Sequence, residues 1–327
     1  MKVKVKDITI AVLAIGLVGV IGFGYFYLKR TNPVKVIQDT IPIAAPTSRP
    51  PGFRFAIYGD EKSPLKYPMA VTAEGGEIYV SDSDNSRVVV FDNNGGVRRL
   101  IGAPKKDGET VTKVLEYPYG LAVQGDRLYV ADLGGSRVAV FRRGGEFVEY
   151  LKPKPEGAFY KPADLKIVND KIYLTDVAKM KVLVLDLEGN VLLSFGEEGT
   201  GAGQLKYPNG VAVDKDGNLY VADSGNSRLQ VFDSQGKYLR TLGGPEKEIG
   251  TLTTARGIGF DRNGNLYVVC GLLGQVKVLD PQGKELFQVG SRGSGNGQLG
   301  LPNGLFIAGN RLLVTEVGND RVSVFEW

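Results

Sequence analysis

Tyr220-Val-Ala-Asp223-Ser-Gly-Asn-Ser-Arg228-Leu-Gln-Val-Phe232 decides the fold, because its skeleton returns five more times along the 327 residues. An acidic residue stands five positions before a basic one in Asp82 and Arg87, Asp132 and Arg137, Asp176 and Lys181, and Glu316 and Arg321. One copy loses both groups together and carries Cys270 and Gln275. Successive residues at the acidic position are 50, 44, 47, 47 and 46 apart. A period of that length marks a repeat architecture, in which each copy is one small unit that cannot bury its faces alone.

The copy at 207–243 reads as four short strands, Gly210–Val213, Leu219–Ala222, Leu229–Phe232 and Tyr238–Leu242. Turn residues separate them at Asp214 to Asn218, Ser224 to Ser227 and Asp233 to Lys237, each link short enough for an antiparallel hairpin. Radial closure of such blades gives an all-β propeller. Six repeats follow one another at about 67–102, 117–151, 160–196, 207–243, 254–290 and 301–327. The sixth stops at Trp327 after its third strand, whereas Phe53 to Gly59 resembles the outer strand Tyr238 to Gly243. Residues 53–59 are therefore predicted to complete the last blade, closing the ring and covering an edge prone to aggregation.

Tyr207-Pro-Asn-Gly-Val-Ala-Val-Asp214 running into Leu219-Tyr-Val-Ala-Asp223 and Asn226-Ser-Arg228-Leu-Gln-Val-Phe232 resembles an NHL repeat. Its lead-in, Gly199-Thr-Gly-Ala-Gly203-Gln204-Leu205, is echoed by Gly293-Ser-Gly-Asn-Gly297-Gln298-Leu299. The resemblance spans about 53–327 and is strongest in the second, fourth and sixth repeats; the third (Ala178-Lys-Met-Lys181) and the fifth depart from it. It implies a six-bladed propeller used mostly for binding, with enzymes in a minority. A membrane anchor, a stalk and an outward propeller is also the arrangement of some bacterial sensor domains.

Ile8 to Leu28 is uncharged over 21 residues, which as a helix spans about 30 Å, one hydrocarbon core. Residues 1–7 are a short basic N-terminus, 8–28 are read as an uncleaved transmembrane signal-anchor, and 29–52, with five prolines, as an extended linker before the propeller at 53–327. Lysines and arginine flank both ends of the apolar segment almost equally. The short basic N-terminus favours a single-pass protein with that end cytoplasmic and the propeller extracytoplasmic. Inner strands begin at the acidic–basic turns, so an outer strand starting at Phe53 begins at the opposite rim. The anchor would then join there and leave the turn rim facing away from the membrane.

Histidine is absent and Cys270 is the one cysteine. Ser-His-Asp and Cys-His nucleophilic systems and His-ligated zinc are thereby excluded, as is an intrachain disulfide. Residues 1–30 carry a net charge of +4, equal to that of the whole chain, so the remainder balances at 35 basic and 35 acidic residues. No net basic footprint for nucleic acid remains.

The acidic–basic pairs are read as fasteners repeated in each blade rather than as an active site, since the fifth repeat loses both partners at once. Asp214-Lys-Asp216-Gly-Asn218 and Asp261-Arg-Asn263-Gly-Asn265 begin like calcium loops, but the twelfth positions are Gly225 and Leu272 rather than Glu. They are expected to be hairpin turns, and the glycine-rich lead-ins are expected to be inter-blade loops. Tyr67, Tyr117, Tyr160 and Tyr207 precede four inner strands, with Leu301 in the sixth, and form a candidate docking rim if they crowd the channel mouth. Asp164 is the one acidic residue in the inner-strand cores, a poor cage for calcium.

The leading expectation is a membrane-tethered, monomeric, non-catalytic propeller that binds a protein, peptide or polymer as scaffold or sensor. No catalytic, cofactor or metal residues are assigned. The alternative is a divalent-cation-dependent lyase or lactonase-like hydrolase with calcium held in the channel.

Overall fold

The computed structural model describes residues 49–107, 110–244 and 252–327. The basic N-terminus, the membrane anchor and most of the linker expected from the sequence fall within 1–48 and lie outside them. Among the described residues no helix is long and apolar enough to cross a membrane.

Six four-stranded antiparallel sheets follow the repeats. Each inner strand packs against the next, from Pro68–Glu74 through Pro118–Gln124, Pro162–Val168, Pro208–Val213 and Ala255–Phe260 to Pro302–Ala308, which returns to the first. The result is a closed ring of six blades. Between each pair of neighbouring blades lies one apolar wedge.

Period-two geometry explains how one strand serves two wedges. Val88 and Val90 enter the wedge toward the second blade, whereas Val89 and Phe91 enter the wedge toward the sixth. Middle strands are thus buried on both faces, which is why Val88-Val-Val-Phe91 is a continuous apolar run. Each fully buried side chain of this size contributes about 1.5–3 kcal/mol. Outer strands such as Val97–Ile101 alternate half-buried and exposed positions instead.

The last blade is completed by Gly52–Ile57, which pairs antiparallel with Arg321–Glu326. Phe53 stands opposite Phe325 and Ile57 opposite Val322. The strand ends before Gly59 because Gly59–Asp60 instead pairs with Ser63–Pro64 as a tight hairpin. Gly52 lies opposite Glu326, at the far end of that ladder from the Glu316–Arg321 turn. The chain therefore enters the propeller at the rim opposite the acidic–basic turns.

Inner strands approach so closely that most blades use glycine at the contact. A Cβ on Gly210 would collide with the Arg256 carbonyl of the next blade, and Gly120, Gly257 and Gly304 abut neighbouring backbone in the same way. Gly210→Ala is expected to push blades four and five apart at a cost of about 1–3 kcal/mol, read as a lower urea midpoint. An unchanged midpoint would show that the ring yields there. Asp164 occupies the equivalent place in blade three, and its carboxylate accepts the Val211 N–H at 3.2 Å, tying blade three to blade four.

Candidate functional site: the channel mouth on the turn rim

Each acidic turn residue is fully buried at the point where the chain descends from the inter-blade loop into the inner strand. Asp223 accepts the backbone N–H of Lys206 (2.7 Å), the side chains of Asn226 and Gln230, and Arg228 Nε (2.8 Å). Asp82 accepts Lys66 N–H (2.7 Å) and Arg87 Nε (2.6 Å). Asp132 accepts Tyr117 N–H (2.8 Å) and Arg137 Nε (3.0 Å), and Glu316 accepts Gly300 N–H and Arg321 Nε, both at 2.8 Å. The arginines then donate onward to loop carbonyls, as Arg228 does to Gly201 and Gln204 and Arg321 does to Gly295 and Gln298. These pairs lace each loop to its own blade.

Asp176 and Lys181 do not form the predicted pair: no ion pair joins them among the described residues. The Asp176 carboxylate is filled by the backbone N–H groups of Tyr160, Lys161, Ala178 and Lys179. In blade five Cys270 sits inside the apolar wedge. Burial pushes its thiol up to about 12, so it is not a nucleophile.

The aspartates of the calcium-like segments are occupied by their own turns. Asp214 accepts Asp216 and Asn218 N–H (2.9 and 2.8 Å), and Asp261 accepts Asn263 and Asn265 N–H (2.8 and 2.9 Å). Among the described residues no group of three or more carboxylate or thiol side chains is placed to hold a metal ion.

The second residues of the six inner strands are Met69, Tyr119, Ala163, Asn209, Arg256 and Asn303. Four of them meet across the ring. The Tyr119 hydroxyl donates to Asn209 Oδ1 (2.8 Å) and lies 3.3 Å from Asn303 Oδ1. Arg256 Nη1 donates to the Tyr119 hydroxyl and to Asn209 Oδ1, both at 3.2 Å. Asn303 in turn donates to the Met69 carbonyl (2.7 Å). Burial raises the Tyr119 hydroxyl above its ordinary pKa, so it stays neutral at physiological pH.

Above this polar floor is a cleft of about 310 Å³. Tyr67, Leu272, Leu301, Pro302 and Val317 supply apolar wall, and among the described residues Arg256 is the one charged residue lining it. Leu272 belongs to the short turn Gly271–Leu273, which in blade five lies between Cys270 and Gln275 instead of a charged fastener, and is half exposed. Tyr67 and Leu301 hold left-handed backbone, with φ of 57° and 48°, as the chain turns toward the inner strand. Such a conformation is costly for bulky residues. At Tyr67 it is held by an N–H bond to Asp320 Oδ1 (2.7 Å).

Of the predicted docking rim, Tyr67 and Tyr117 line the cleft; Tyr160 and Tyr207 are exposed outside it. The sequence reading missed Tyr119, Asn209, Arg256 and Asn303. Their signal was a single repeat column, the residue after the first of each inner strand, whose chemistry differs from blade to blade.

A family model described as the NHL repeat matches residues 67–91 and 205–232. Among solved structures, a catalytically inactive virginiamycin B lyase from Staphylococcus aureus with quinupristin is similar at 12% identity, TM-score 0.59, over 84% of this chain and 98% of that one. A protein of unknown function from Bacteroides thetaiotaomicron is similar at 16% identity, TM-score 0.61, over 84% of this chain and 73% of that one. One from Bacteroides caccae has 16% identity, TM-score 0.54, with 73% and 81% covered. At these identities the likeness shows the fold alone. With NHL repeats matched in two blades and six blades closed into one ring, the chain is a six-bladed β-propeller that carries NHL repeats.

Proposed function

We propose that this propeller is a non-catalytic binding module, tethered to a membrane through residues 8–28 with the propeller extracytoplasmic, and that its turn rim receives a protein, peptide or polymer partner. The observation that carries the reading is the asymmetric channel mouth. Five blades bury a carboxylate at the turn, whereas the turn of blade five exposes Leu272 and Leu273, and Leu272 lines the cleft with Arg256. An apolar rim around a few convergent polar groups is the usual make-up of a recognition pocket. Entry of the chain at the opposite rim, at Gly52, leaves this face clear of the connection to the linker.

The test is saturable partner binding by the full-length chain. Leu272→Asp and Leu301→Asp are expected to abolish it, and Lys152→Glu, in a separate cleft, to leave it intact. Equal binding by all three variants would place the partner elsewhere.

The fold likeness to a lyase supports a second reading, a cation-dependent lyase or hydrolase working in the channel. Two features weigh against it. The lyase structure is described as inactive on replacement of one histidine by alanine, and this chain contains none. Its inner-strand cores offer Asp164 alone, already bonded to Val211. A calcium-dependent rise in melting temperature would revive this reading; no shift at millimolar calcium would remove it.

A further inference from the structure

We infer that the channel mouth captures the C-terminal carboxylate of a peptide whose last residue is apolar, with Arg256 as its anion-binding group. This deepens, and rests on, the reading of the turn rim as the binding face.

Arg256 differs from the arginines of the fasteners. Arg87, Arg137, Arg228 and Arg321 each pair with a buried carboxylate at 2.6–3.0 Å. No such ion pair is made by Arg256 among the described residues. Its Nη1 meets only the neutral oxygens of Tyr119 and Asn209. Those two bonds aim the guanidinium without neutralising it, and no described group occupies Nε or Nη2. A half-buried cation with no counter-charge among the described residues is costly, and the part of its guanidinium fork that no described group occupies matches a carboxylate.

Asp164, the acidic residue of the inner-strand cores, does not supply that counter-charge. It accepts Val211 N–H, lies 3.5 Å from Lys166, and burial raises its pKa.

The rest of the cleft selects what carries the anion. Among the described residues, Leu272, Leu301, Pro302 and Val317 give an apolar wall beside a single positive charge. One guanidinium suits a monovalent carboxylate, whereas phosphorylated motifs are gripped by clusters of arginines. At about 310 Å³ the cleft is at the small end of ligand sites, which fits the end of a chain better than its middle. An apolar terminal side chain would lie along Leu272 and Leu301 while its carboxylate meets Arg256.

The experiment titrates full-length protein by calorimetry with acetyl-Gly-Gly-Leu as the free acid, as its C-terminal amide, and with inorganic phosphate. The free acid is expected to bind at least about tenfold more tightly than the amide, the worth of a charge-assisted hydrogen bond. Arg256→Met should reduce the acid to the amide's level, and Arg256→Lys, which keeps charge without the fork, should fall between. Equal affinity for acid and amide in the unsubstituted protein overturns the inference, even if Arg256→Met fails to fold. So does no binding of the acid at millimolar peptide, or a preference that survives Arg256→Met. Phosphate binding more tightly than the acid overturns the carboxylate assignment. Partner binding lost in Leu272→Asp, with no preference for the acid, would sink this inference and leave the binding face standing; the converse pattern would sink the partner reading alone.

Discussion

Asp223→Ala is expected to destabilise the propeller by about 3–5 kcal/mol, the cost of breaking a buried charged pair from one side. The carboxylate is fully buried and serves four different donors, one of them the Lys206 N–H that fixes the descent into blade four. Its loss strands the charge of Arg228, whose side chain is only 15% exposed, and unties the Gly201–Gln204 loop. Urea unfolding followed by circular dichroism measures this directly. The chain itself supplies the control, because blade five stands without the pair. Asp223→Cys with Arg228→Gln copies Cys270 and Gln275 and is expected to cost clearly less than the two single substitutions added together, since it removes the orphaned charge as well as the bond. A loss below about 1 kcal/mol for Asp223→Ala, the range of exposed pairs, would show that the turns are not fasteners.

The same comparison shows what could be read from the sequence. Repeat length, four runs per repeat and turn residues between them determine a blade, and blades that each need two neighbours determine a ring. The closing strand was legible because Phe53 to Gly59 repeats an outer-strand pattern, although Gly59 leaves for its own hairpin. The Asp176–Lys181 pair was misread for a physical reason. The recurring acidic position is fixed by backbone N–H groups of the descending segment, and the basic partner is a second layer that blade three does without. The channel mouth was not legible. Tyr119 and Arg256 are 137 residues apart and Tyr119 and Asn303 184 apart; they meet only because the ring is closed, and no local spacing encodes that meeting. A repeat averages over its copies, whereas this site is made of the differences between them.

Deletion through Tyr58 is expected to have an effect as large as loss of a fastener, and of a different kind. A chain beginning at residue 59 loses Phe53, Phe55 and Ile57 from the wedges on either side of blade six. With full burial of such a side chain contributing about 1.5–3 kcal/mol, the three together are worth several kcal/mol even after allowance for Phe53 and Phe55 being partly exposed. It also loses the Tyr58 hydroxyl that accepts Arg321 Nη1 at 3.0 Å. More consequentially, Arg321–Glu326 becomes an unpaired edge, and such an edge pairs with other chains. Residues 59–327 should therefore melt lower and aggregate on size-exclusion chromatography, whereas 49–327, which keeps the strand, should remain monomeric with the melting temperature of the full chain. A synthetic peptide of residues 50–60 added to the shorter chain should restore the monomer, because it supplies the missing ladder without the covalent link. If 59–327 were monomeric and as stable as 49–327, the strand would be an ornament on a ring already held by its inner strands, and the closure would have to be credited to the contact between Pro302–Ala308 and Pro68–Glu74.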